Sequence, residues 1–136
     1  MAIHIENVKN YILNSSDDAK VQSIPFKISA DCDAKVSKYF ESSIKFEDDK
    51  SLKASFRGYP LRGQSMSLPT GYVGVVLHES IVPTSDTEDR KFHVINKFKT
   101  LRYWNWDKNT GKNDKIVQAL EWIDIAEVLH SPITEE

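Results

Sequence analysis

The chain has 136 residues, a length that suits one domain. Its formal net charge of −2 argues against a phosphate backbone as the main partner, because domains built for one carry a clear positive excess. Cys32 is the single cysteine, which excludes an internal disulfide and a cysteine-based zinc site.

No apolar run approaches the ~20 residues of a membrane span. Met1-Ala2-Ile3-His4-Ile5 lacks the long apolar region of a signal peptide, so a cytosolic or nuclear chain is expected. In chain order, Ile3 and Ile5 alternate with His4 and Glu6, and the polar run from Asn14 to Asp18 reads as a loop. Residues 1–23 form an N-terminal segment whose order the pattern leaves open. Phe26, Ile28 and Ala30 alternate with Lys27, Ser29 and Asp31, and Val36 to Phe40 reads as another short extended piece. Glu47-Asp48-Asp49-Lys50 makes a turn. Leu52, Ala54 and Phe56 alternate with Lys53, Ser55 and Arg57, a clear period of two. Gly58 and Gly63 punctuate the next stretch, and Pro69-Thr70-Gly71 marks a turn.

Residues 72–78, Tyr-Val-Gly-Val-Val-Leu-His, are apolar on both phases, the pattern of a strand covered on both faces. Residues 83–90 are polar and acidic and read as a flexible loop. The longest extended candidate is 91–107, with Phe92, Val94, Phe98, Trp104 and Trp106 on one phase and Ile95, Leu101 and Tyr103 on the other. After a turn at Asn109–Lys112 the pattern is ambiguous, since Ile116, Leu120 and Ile123 also fit a helix. The reading taken is a strand over 113–120 and a short helix over about 123–130, with Asp124 near its N-terminal end. The tail from Ser131 to Glu136 is expected to fray. About seven short strands and one helix make a mainly β domain of barrel or sandwich type.

The chemistry-bearing residues do not assemble into a catalytic pattern. Asp48, Asp49, Asp86, Glu88 and Asp89 sit in polar runs with no apolar flank to hold a geometry. The histidines, at 4, 78, 93 and 130, lack the i, i+4 spacing of a helical zinc site, although His78 and His93 would meet if their strands pair. Asp31 and Asp33 flank Cys32 and disfavour its thiolate. Neither a glycine-rich phosphate loop nor a nucleophile elbow occurs.

Two constellations stand out. Lys97, Lys99 and Arg102 interleave with Phe98, Tyr103, Trp104 and Trp106, the ingredients of a single-strand nucleic-acid groove, although the favoured reading is an aromatic core or interface, with a single-strand nucleic-acid-binding β-barrel as the alternative. Ser55-Phe56-Arg57-Gly58-Tyr59-Pro60-Leu61-Arg62-Gly63 carries two Arg-Gly pairs, whose planar donors suit a partner protein, an internal carboxylate or a phosphate.

Taken in order, several blocks resemble the family of C subunits of the eukaryotic type 2 ribonuclease H complex (ribonuclease H2). They are Pro25 to Phe40 with Val36-Ser37-Lys38-Tyr39-Phe40, Ala54 to Gly63, Leu68 to Val76, the acidic loop, Phe98 to Trp104, and Asp114 to His130. The first 23 residues carry little of the likeness. The acidic loop is short where some members carry an insertion, and Ile123 stands where a proline often starts the final helix.

The resemblance implies a non-catalytic subunit whose strands intertwine with those of a second accessory chain, the B subunit, in a triple-barrel platform. That platform binds the catalytic A subunit, which cleaves RNA of RNA–DNA hybrids and nicks at single ribonucleotides in DNA. No cofactor is expected on this chain, since the Mg-binding carboxylates belong to the catalytic subunit, and the expected location is the nucleus. Val73, Val75, Leu77, Phe92, Val94 and Phe98 would line the shared barrels. Arg57 and Arg62 would lie near the catalytic subunit, and Asp31 and Lys115 would pair locally or across subunits. Lys97, Lys99 and Arg102 are the candidate nucleic-acid contacts.

Overall fold

The structure, a computed structural model, describes residues 1–10, 18–48 and 50–133. Its strands are β1 (Ile3–Glu6), β2 (Val21–Ser23), β3 (Lys45–Phe46), β4 (Ser51–Phe56), β5 (Tyr59–Ser67), β6 (Gly74–Glu79), β7 (Arg90–Phe98) and β8 (Thr100–Trp106). The helices α1 (Val36–Tyr39) and α2 (Lys115–His130) and a 3₁₀ turn at Glu41–Ser43 accompany them. The chain is mainly β with a C-terminal helix. It divides into two compact units, Met1–Val21 with Gly71–Thr100, and Gln22–Thr70 with Leu101–Glu136.

The second unit is built on a five-stranded sheet in the order β2-β8-β5-β4-β3. Its central hairpin follows from local chemistry. Phe56 pairs with Tyr59, leaving Arg57 and Gly58 as a two-residue connection. Both have positive φ, 49° and 82°, as the primed turns that match strand twist require. The period-two pattern then sends Leu52 and Leu61 inward, 2% and 1% exposed, where they meet Trp104 of β8 at 1% and Phe40 at 7%. Full burial of each such side chain contributes roughly 1.5–3 kcal/mol. The indole keeps its polar atom satisfied by donating Nε1–H to Oε1 of Gln22 at 2.9 Å, and Phe40 meets the ring edge-on at 5.5 Å. Asp114, 9% exposed, secures the start of α2. It accepts the Gly111 N–H at 2.7 Å and the Asn105 amide at 3.2 Å.

The first unit holds a three-stranded sheet in the order β1-β7-β6, with β1 parallel and β6 antiparallel to β7. Among the described residues its one buried apolar side chain is Val94, 3% exposed.

Four expectations are corrected. Val36–Tyr39 is a helical turn, because only Phe40 of that block reaches the core and one turn delivers it. Phe26 to Ala30 joins no sheet, although Phe26 stacks on Phe56 at 4.7 Å. The 91–107 stretch breaks at Lys99, so β7 and β8 belong to different sheets. Finally, α2 runs unbroken from Lys115 to His130, so the strand over 113–120 is replaced by helix and Asp124 and Ile123 lie mid-helix. The helical spacing of Ile116, Leu120 and Ile123 decided that segment, since all three are half-buried on one side. The loop assigned to Asn14–Asp17 lies outside the described residues.

Candidate subunit interface

Side chains alternate across a strand, so the register sorts the first unit's sheet into two faces. Leu77 pairs with Val94 and Glu79 with Phe92, while Ile3 pairs with Arg90 and Ile5 with Phe92. Val75 pairs with Lys97, across a register shift between Val76 and Leu77. One face therefore carries Ile3, Ile5, Val75, Leu77, Phe92 and Val94. The other carries His4, Glu6, His78, Lys91 and His93. The Arg90–Glu79 ion pair at 2.5 Å closes one end of the apolar face. Hydrogen bonds from Arg90 hold the Glu79 carboxyl below the usual glutamate range and push the guanidinium up.

Of those six apolar side chains only Val94 is buried. Ile3 is 60% exposed, Ile5 48% and Leu77 39%. The sequence reading placed Val75, Leu77, Phe92 and Val94 together, and the register puts all four on this face. Val73 precedes β6 and is exposed. Phe98 lies on the opposite face, opposite Gly74, where a Cβ would run into its ring. Ile3 and Ile5 were missed because a four-residue alternation does not reveal which strand it joins.

The second unit has its own open apolar surface on α2. Ile116, Val117, Leu120, Ile123 and Ala126 are half-buried. Trp122, Ile125 and Leu129, at i, i+3 and i+7, are 63%, 48% and 70% exposed on a different face. A helix apolar on more than one side is suited to being covered on more than one side. The signal was present in the sequence, but splitting the segment into strand and helix hid the stripe.

The remaining predicted residues are dispersed. Arg57 is exposed at the hairpin tip, its guanidinium 5.5 Å from the Phe56 ring centroid. Arg62 is half-buried on β5, donating to Asn109 at 3.2 Å and paired with Asp107 at 3.6 Å. Asp31 and Lys115 are exposed, and neither has an ion-pair partner among the described residues. Lys97 is on β7, Lys99 lies between β7 and β8, and Arg102 on β8 sits 5.9 Å over the Phe46 ring. Trp104 is wholly buried and so cannot stack on a base.

His78 and His93 do stand directly opposite one another, but no group of three metal-ligating side chains occurs among the described residues. Among the described residues no helix is long and apolar enough to cross a membrane.

Comparison with known proteins identifies the family. Residues 20–129 match the family described as ribonuclease H2 non-catalytic subunit (Ylr154p-like). The chain is 24% identical to the ribonuclease H2 C subunit of Mus musculus, over 91% of this chain and 88% of that protein. It is 25% identical to the corresponding C subunit of Bos taurus, over 87% and 84%. An uncharacterized protein of Schizosaccharomyces pombe is 29% identical over 82% of this chain and 83% of its own length.

Proposed function

Because this chain belongs to the family of ribonuclease H2 non-catalytic subunits, we propose that it is the scaffold of a heterotrimer, the C subunit, pairing with the accessory B subunit and supporting the catalytic A subunit. In this reading the complex degrades RNA of RNA–DNA hybrids and removes ribonucleotides from DNA in the nucleus, with active site and Mg on the catalytic chain. The observation that carries it is the open apolar face of the β1-β7-β6 sheet. A three-stranded sheet needs an apolar face packed against something to be stable, and here one side chain of six is buried. Large obligate interfaces resemble a core cut in half, and that face and the Trp122–Leu129 stripe have that composition.

Strand sharing with the accessory partner covers the apolar face. Arg57 and Arg62 face the catalytic subunit, Asp31 and Lys115 find partners across subunits, and any direct contact with nucleic acid runs through Lys97, Lys99 and Arg102. The test is co-purification of the tagged chain from its own cells, with mass identification of the bound chains. Recovery of two further subunits with ribonuclease H2 activity is expected. A soluble monomer with a sharp cooperative melt and no partners overturns the reading. Arg62→Trp is expected to weaken recovery of the catalytic subunit, and unchanged assembly removes Arg62 from that interface.

A further inference from the structure

Helix α2 stops at a serine followed by a proline. Of the chain's five prolines, Pro132 alone comes after a serine or threonine. Ser131 has φ −65° and ψ 138°, the extended backbone that a following proline imposes. Ser131 is exposed, as are His130 before it and Pro132 after it. Its hydroxyl donates to the Val128 carbonyl at 2.8 Å and so satisfies one of the acceptors that a helix end leaves open.

We propose that Ser131 is a phosphorylation site for a kinase that selects proline after its acceptor serine, and that the phosphate loosens the last turn of α2. The geometry is that of a peptide ready for transfer: extended at the acceptor, open to solvent, and without an N–H at the next residue. A kinase groove with no acceptor opposite that position selects proline, because any other residue would bury an unpaired N–H there. In the step, Ser131 Oγ attacks the γ-phosphorus of a nucleoside triphosphate. The Oγ–P bond forms as the bond from that phosphorus to the β,γ-bridging oxygen breaks. The hydroxyl proton passes to the kinase's base, and the nucleoside diphosphate leaves.

The consequence follows from charge. The proton that Ser131 shares with the Val128 carbonyl is gone, so that bond is lost. A group of charge about −2 then stands at the negative end of the helix dipole. Glu127, four residues back and exposed, adds a like charge one turn away. His130 is the basic residue of the last turn, and no lysine or arginine follows Lys115 in the sequence. The element therefore lacks the guanidinium fork that would let a phosphate order it. Packing opposes the loosening little, since Val128 and Leu129 are 75% and 70% exposed. Leu129 ends the stripe that Trp122 and Ile125 begin, and the effect on partner binding rests on the subunit reading above.

The experiment uses the tagged full chain, purified from its own cells with its subunits under phosphatase inhibition. Mass spectrometry is expected to find HPO₃ added at Ser131 in the wild type and not in Pro132→Ala, which keeps the serine. The complex is also treated with a purified proline-directed kinase and ATP, and hydrogen exchange across Ala126 to His130 is compared before and after. Exchange is expected to rise about twofold to fivefold, the range of a charge acting on a helix end, and Ser131→Ala should not respond to the treatment. Recovery of partner subunits should fall about threefold on phosphorylation. An unmodified Ser131, in cells and after treatment alike, overturns the site. Phosphate incorporated with exchange unchanged overturns the loosening, and unchanged recovery overturns the effect on the stripe. A failure of the subunit reading shows separately, as a chain that purifies alone while its phosphorylation and exchange remain measurable.

Discussion

Gly63 of β5 lies flat against the indole of Trp104: a Cβ built on it would stand 2.5 Å from Cε3 of the ring. The glycine marks no turn, for it sits inside a nine-residue strand opposite Leu52. It is small because the largest buried side chain of the unit occupies the space a side chain would need.

Gly63→Ala is therefore expected to destabilise the chain within its complex by about 1–3 kcal/mol, the usual cost of overpacking a filled core. Thermal melting of the purified complex reads this directly. A melting temperature equal to the wild type would mean that the indole moves aside freely.

Arg57 occupies a left-handed position that suits asparagine or glycine better. Arg57→Asn is expected to leave stability unchanged or slightly raised, whereas Arg57→Val should cost about 1–2 kcal/mol. If the guanidinium meets a partner, the asparagine variant assembles less well despite its intact fold. Melting and co-purification of the two variants separate backbone from side-chain effects.

Glu79 gives the fold an acid-side weakness. Its folded-state carboxyl titrates below the ordinary value of 4.5 because Arg90 hydrogen-bonds the charged form. The stabilisation is thus fully present above that value and is lost as pH falls through the lowered one. Glu79→Gln should flatten the loss of stability below about pH 4.5, read as the urea midpoint against pH.

Trp122→Ser with Leu129→Ser should leave helix content by circular dichroism nearly unchanged, since the side chains are 63% and 70% exposed. Recovery of partner subunits should fall about tenfold or more, as expected when aromatic and aliphatic anchors leave an interface. Unchanged recovery would leave that stripe without a partner.

The strands with clean alternation were legible. Leu52, Ala54 and Phe56 predict β4 because one face is buried and the other polar, and no tertiary information is needed to see it. The two-faced run around Val75 and Leu77 was also read as a strand, but its cover could not be read. In the chain itself Leu77 stays exposed. The 113–130 segment was misread because short apolar spacings satisfy both periods until length decides. The break at Lys99 was invisible for a similar reason, since β7 and β8 are both extended and nothing in their composition says that the sheet changes there.

By itself the sequence determined the mainly β class, the alternating strand around Leu52 to Phe56, the absence of a cysteine-built site and, through its ordered blocks, the family. Those are properties of local periodicity, of composition and of motif order. Only the tertiary structure decided which residues share a face. Register placed Ile3 and Ile5 beside Phe92, buried Trp104 against Gly63, and sent Phe98 to the side opposite Val94. Pairing across many intervening residues sets those relationships, and a one-residue change in register would invert every one of them.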